Sequence, residues 1–228
     1  MLIYLIISIL IAAGAFTARN ERHLFVSGVL FYAVQVLFTV WILVGAAGAT
    51  SLGVFQYDDA GTLFFILLTV VSAFAYSHSR SYLQGSGLRQ IRIYSALLLL
   101  LTTAIAGAYF ASNLAVTWIF LEATTLCSAG IVYHRRTAQA LEAAWKYVFV
   151  CSTGIAMAYL GILLLAAATK CESLSYEAVA AAAPGSNALY LKIAFLLILC
   201  GYSCKVELFP LYTVGVDANF AAPAPASA

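Results

Sequence analysis

The sequence predicts an all-α fold, a polytopic membrane bundle of about seven transmembrane helices, on three observations. Of the 228 residues, 64% are hydrophobic and only 9% are charged, where an ordinary soluble domain carries roughly 25% charge. Apolar runs near the 20 residues needed to cross about 30 Å of hydrocarbon recur along the chain. Connections bearing arginine alternate with connections that have none, the pattern that sets membrane orientation. Strands are not expected, because a membrane barrel would show alternating segments of about ten residues.

Span one covers about residues 2–17. No positive residue precedes it and Arg19 and Arg22 follow it, the reverse of a secretory signal, so it reads as a membrane helix that is retained. Span two covers about 24–47 and span three about 60–76, the latter preceded by Asp58 and Asp59, acids suited to a helix start. Spans four (about 93–110) and five (about 114–133) meet across Ala111-Ser112-Asn113 and must form an antiparallel hairpin. Span six covers about 141–168, with Thr137 as a candidate cap. Span seven covers about 189–209, after a polar segment containing Lys170, Glu172, Glu177, Pro184 and Gly185. Pro210 removes a backbone donor and crowds the preceding turn, so the seventh helix is expected to break near it. The Ala/Pro-rich stretch 214–228 reads as a weakly structured tail. No boundary divides the chain, and residues 1–228 form a single membrane domain.

The loops after spans one, three and five hold Arg19 and Arg22, then Arg80, Arg89 and Arg92, then Arg135 and Arg136; those after spans two and four hold no Lys or Arg. Arginine-bearing loops stay in the cytoplasm, so the N-terminus is expected outside and the C-terminus inside. A net charge of +2 without any basic run gives no footing for nucleic acid. The principal partner of the surface is the lipid bilayer. Cys127, Cys151, Cys171, Cys200 and Cys204 lie mostly in apolar stretches, where cysteine behaves as a small hydrophobe. Cys200 and Cys204 share a helical face but lack nearby His or acidic ligands, so no metal and no cofactor are expected.

Three ionisable residues fall inside consecutive spans. Glu122 lies about 12 Å into span five, Lys146 about 13 Å beyond Thr137, and Lys205 about 24 Å along span seven. Each costs on the order of 2.5–3.5 kcal/mol at a helix centre, so the three are expected to face one another or water. A carboxylate near an ammonium in low dielectric responds to its partner's charge, and a lysine, unlike an arginine, can release its proton there. The alternative for the same residues is a static ion pair that fixes helix packing. Secondary candidates are Glu207, which could pair with Lys205, Glu142 at the interface, and His134 beside Arg135 and Arg136.

The segments Trp118-Ile119-Phe120-Leu121-Glu122-Ala123-Thr124-Thr125-Leu126, Ala140-Leu141-Glu142-Ala143-Ala144-Trp145-Lys146-Tyr147 and Cys151-Ser152-Thr153-Gly154-Ile155-Ala156 resemble the antiporter-like proton-translocating subunits of complex I and group 4 membrane-bound hydrogenases. Within that superfamily they are most similar to the hydrogenase-4 component F type. The resemblance covers about residues 58–225 and the N-terminal half of such a subunit only. It implies that Glu122 pairs with Lys205, that Lys146 joins a central proton relay, and that Pro210 marks the helix break. It implies no redox centre in the chain itself, partners in other membrane-arm subunits and a peripheral redox module, and a prokaryotic inner membrane. Lys205-Val206-Glu207 and the stretch Tyr212–Ala218 depart from the family pattern, which puts the relay there in question. Half of a multi-subunit cation/proton antiporter, and a scaffold subunit that no longer conducts, fit the same residues.

Overall fold

A computed structural model describes residues 1–46, 48–209 and 211–227. Its helices follow the apolar runs. α1 (Leu2–Thr17) and α2 (Glu21–Trp41) are joined at Asn20, and α2 continues into a π turn over Ile42–Ala46. α3 (Asp59–Tyr82) starts where Asp58 accepts a hydrogen bond from the Gly61 amide at 3.3 Å. α4 (Leu88–Phe110) and α5 (Leu114–Val132) form the expected hairpin, with Asn113 capping α5 by accepting from the Ala115 amide at 3.0 Å. α6 (Ala138–Thr169) is capped by Thr137, which accepts from the Ala140 amide at 3.1 Å. These side chains satisfy donors that the first helical turn leaves unpaired.

Among the described residues, five helices are long and apolar enough to cross a membrane: 21–45, 59–82, 88–110, 114–135 and 138–169. The first and seventh expected spans are shorter apolar helices, α1 and Ala188–Ser203, each of 16 residues or about 24 Å. Strands, not expected, do occur: β1 (Thr50–Ser51) pairs antiparallel with β2 (Phe55–Gln56). Leu52 and Gly53 both take positive φ, 58° and 66°, the geometry that matches a tight turn to strand twist. The polar loops at this end then tie together. The Ser112 amide donates to the Val54 carbonyl at 2.8 Å, and the Leu114 amide to the Leu174 carbonyl at 3.0 Å. A short helix, α7 (Tyr176–Ala182), follows within the segment after α6.

The seventh helix, α8 (Ala188–Ser203), ends before Lys205, not after it. Lys205 lies in the following turn, and Glu207 is held in the left-handed region at φ 52°. The break thus precedes the expected position; Pro210 itself lies outside the described residues. The expected weakly structured tail is instead helical, as α9 (Tyr212–Ala221) and α10 (Ala224–Ser227). Its Ala218, Ala221 and Ala222 bury against Ala140, Ala143 and Ala144 of α6. Alanine is the strongest helix former, and small side chains let two helices approach closely.

Two further cores hold the N-terminal helices. One is aromatic, built on Tyr4, Phe65, Tyr57 and Phe110; the other gathers Ala15, Phe31, Tyr76, Tyr94 and Leu99. α5 bridges α4 to α6, which carries α8 and α9. At the α6–α8 crossing a Cβ on Gly161 would stand 2.9 Å from the Ala194 carbonyl oxygen, so glycine is required for the backbones to meet.

Candidate functional site

The crossing of α5 and α6 sets the site. The Trp118 indole donates to the Ile155 carbonyl at 2.8 Å, and its ring packs 4.6 Å from that of Tyr159. The two helices run antiparallel, so one turn forward on α5 meets one turn back on α6. There the Ser152 hydroxyl donates to Oε1 of Glu122 at 2.8 Å. The other oxygen, Oε2, is buried and has no hydrogen-bond partner among the described residues. Glu122 is therefore held at one oxygen and unpaired at the other, in a residue that is half-buried as a whole.

Lys205 approaches from the turn after α8. Its Nζ donates to the Tyr147 hydroxyl at 3.3 Å and lies 5.5 Å from the centre of that ring, within cation–π range. Glu122, Cys127 and Cys151 lie within electrostatic reach of the ammonium. The pairing implied for Glu122 and Lys205 is not a direct one here: among the described residues no Lys205 ion pair falls within 4.0 Å. The helix end at Ser203 puts Lys205 on a turn, so its position depends on that turn and not on the register of α8.

Lys146, expected in the interior, points the other way. Its Nζ pairs with Glu142 at 2.7 Å and with Asp217 of α9 at 3.4 Å, and the side chains of all three are about half exposed or more, at 49%, 66% and 49%. The correction has a simple cause: neighbouring residues on a helix point about 100° apart, and here Tyr147 takes the inward direction. Leu141, Trp145 and Phe149 present exposed apolar surface beside Glu142 and Lys146. Glu142 is thus the i,i+4 partner of Lys146. Glu207 makes no ion pair with Lys205 among the described residues, and its carboxylate lies against Gly215 of α9. His134 sits at the end of α5 with its ring 5.3 Å from that of Tyr94. Ser152, Tyr147 and Asp217 are the site neighbours that sequence reasoning did not single out.

Residues 111–228 match the family described as NADH:quinone oxidoreductase/Mrp antiporter, TM. The chain belongs to that family. The family segment takes in α5 to α10, and with them Glu122, Lys146, Lys205 and Asp217. Among relatives, the hydrogenase-4 component F homolog of Methylacidiphilum infernorum is 36% identical over 146 residues, covering 60% of this chain and 30% of the relative. The Na(+)/H(+) antiporter subunit A1 of Staphylococcus aureus is 30% identical over 172 residues, covering 75% of this chain and 21% of the relative. The fold is similar to that of a chain in the archaeal membrane-bound sulfane sulfur reductase, with TM-score 0.81, 21% identity and coverage of 98% of this chain and 47% of the other. It is also similar to one in respiratory complex I of Thermus thermophilus, with TM-score 0.77, 20% identity and coverage of 98% and 48%. The chain thus spans under a third of these two relatives and about half of these two structures. It is an antiporter-like, multi-pass membrane subunit.

Proposed function

We propose that the chain relays protons as a membrane-arm subunit of a redox-driven complex of the hydrogenase or NADH:quinone oxidoreductase type, with Glu122 and Lys205 as the titrating groups. The observation that carries this is the Glu122 carboxylate, fixed by Ser152 at Oε1 and unpartnered at a buried Oε2. A static pair would close both ends of the carboxylate on a cation, since a buried charge left half satisfied is expensive. A carboxylate held on one side and free on the other can take and release a proton. Lys205 lies within electrostatic reach of Glu122 without being locked to it in an ion pair.

Lys146 extends the reading outward. Half-exposed charges cannot rest in lipid, so in the assembled complex the Lys146, Glu142 and Asp217 trio meets neighbouring protein or water. On this reading the chain crosses a prokaryotic inner membrane seven times, with α1 and α8 as shorter spans, the N-terminus outside and the C-terminus inside; the arginine-bearing loops support that orientation. Other membrane-arm subunits are the expected partners, and a peripheral redox module supplies the energy. A second reading, part of a multi-subunit cation/proton antiporter, is favoured by the 30% identity to an antiporter subunit and uses the same side chains.

The test is proton uptake by vesicles containing the purified complex, normalised to its electron-transfer rate. Glu122→Gln keeps the shape and removes the titration, so the proton yield should collapse while assembly is retained. Ser152→Ala, which frees Oε1, should slow transport to a lesser degree. A wild-type yield in Glu122→Gln would leave the non-conducting scaffold as the better reading.

A further inference from the structure

Most buried hydroxyls in α3 and α4 are closed onto their own helices. Thr69, Ser72, Ser79, Thr102 and Thr103 each donate to the carbonyl four residues earlier, at 2.6–2.9 Å. This is the usual way for a hydroxyl to sit in an apolar helix. Ser8, halfway along α1, does not do it: it is 0% exposed and its Oγ has no partner among the described residues.

Gln35 of α2 is equally buried, at 0%. Its Nε2 donates to the Tyr4 hydroxyl at 3.2 Å, and its Oε1 has no partner among the described residues. Turning the amide over exchanges the two roles and still leaves one polar atom unpaired. Ser8 stands one turn along α1 from Tyr4, and both Ser8 and Gln35 lie beside the Tyr4 hydroxyl. Aromatic rings wall the place, with Phe38 stacked 4.6 Å from Tyr4 and Phe65 edge-on at 5.7 Å.

We infer that Tyr4, Ser8 and Gln35 enclose a bound-water site between α1 and α2, separate from Glu122. A buried water uses two to four polar partners, and these three supply a hydroxyl donor, an amide oxygen acceptor and a phenol able to serve as either. A metal cation fits less well, because three neutral oxygens offer neither the charge nor the number of ligands a hard cation takes. The water joins α1, a helix of 16 residues, to its longer neighbour.

Radiolytic hydroxyl-radical labelling of the full chain in nanodiscs, read by mass spectrometry, tests the site, because radicals form from water held against a side chain. Tyr4 should be oxidised well faster than Phe31, which is also buried at 0% exposure, and a Ser8→Val, Gln35→Leu double variant should lose the Tyr4 adduct. Tyr4 oxidation no faster than that of Phe31, or unchanged in the double variant, overturns the proposal. The single change Ser8→Ala gives an independent arm through thermal unfolding. Removing a partner of bound water should lower Tm, whereas removing an orphan hydroxyl from a dry site would leave it unchanged or raise it, which would also overturn the proposal.

Discussion

Replacing Gly201 by alanine should separate α8 from α6. A methyl built on Gly201 would stand 2.6 Å from the Ala158 amide nitrogen and 2.7 Å from its Cβ, where carbon atoms prefer about 3.5–4.0 Å. Neither atom can rotate away, since one is backbone and the other is fixed to it, so the helices must part by about 1 Å. Overpacking of this kind costs about 1–3 kcal/mol. At about 2–4 °C per kcal/mol for a chain of this size, Tm should fall by about 2–12 °C. The same displacement draws the turn carrying Lys205 away from Tyr147, so the bond between them, 3.3 Å at present, should be lost. Scanning fluorimetry of the purified protein measures the first effect. Gly185→Ala serves as the control, because a Cβ there meets nothing within 4 Å. Equal Tm values for Gly201→Ala and Gly185→Ala would refute the close crossing.

Thr137→Ala should destabilise the start of α6 by about 1 kcal/mol, seen as faster hydrogen exchange at the Ala138 to Ala140 amides; unchanged protection would remove the cap. Asp217→Asn breaks a half-exposed contact to Lys146, so Tm should hold while proton yield falls, and a wild-type yield would take Lys146 out of the path. Impermeant thiol labelling from outside should reach a cysteine placed at Ala60 and not one at Gln84; the reverse pattern would invert the orientation.

Much of this arrangement was legible in the chain. The bounds of α1, the turn at Ala111–Asn113 and the Thr137 cap follow from apolar length and from side chains that accept backbone donors. The sequence also carries the signal for the contact between Glu122 and Ser152: each lies fifteen residues from Thr137, and an antiparallel hairpin folded about that point sets them opposite. What stayed hidden depends on backbone direction and not on composition. Val206, Leu208 and Phe209 continue the apolar run past Ser203, so hydrophobicity does not register that α8 ends there. Distance along a helix says nothing about azimuth, which packing decided in favour of Tyr147 over Lys146. The tail reads as weakly structured because it is short and rich in Ala and Pro, yet small side chains are what let Ala218 and Ala222 settle on Ala140 and Ala144.

The relay claim rests on Glu122 and Lys205 exchanging protons and not merely balancing charge, and Lys205→Arg separates those roles. Arginine keeps the positive charge but does not release a proton at accessible pH, so a static balance would tolerate it and a carrier would not. In vesicles containing the assembled complex, the ratio of protons taken up to electrons transferred should fall towards zero in Lys205→Arg, as in Glu122→Gln, with both complexes intact. A ratio equal to the wild type in both variants would contradict the account.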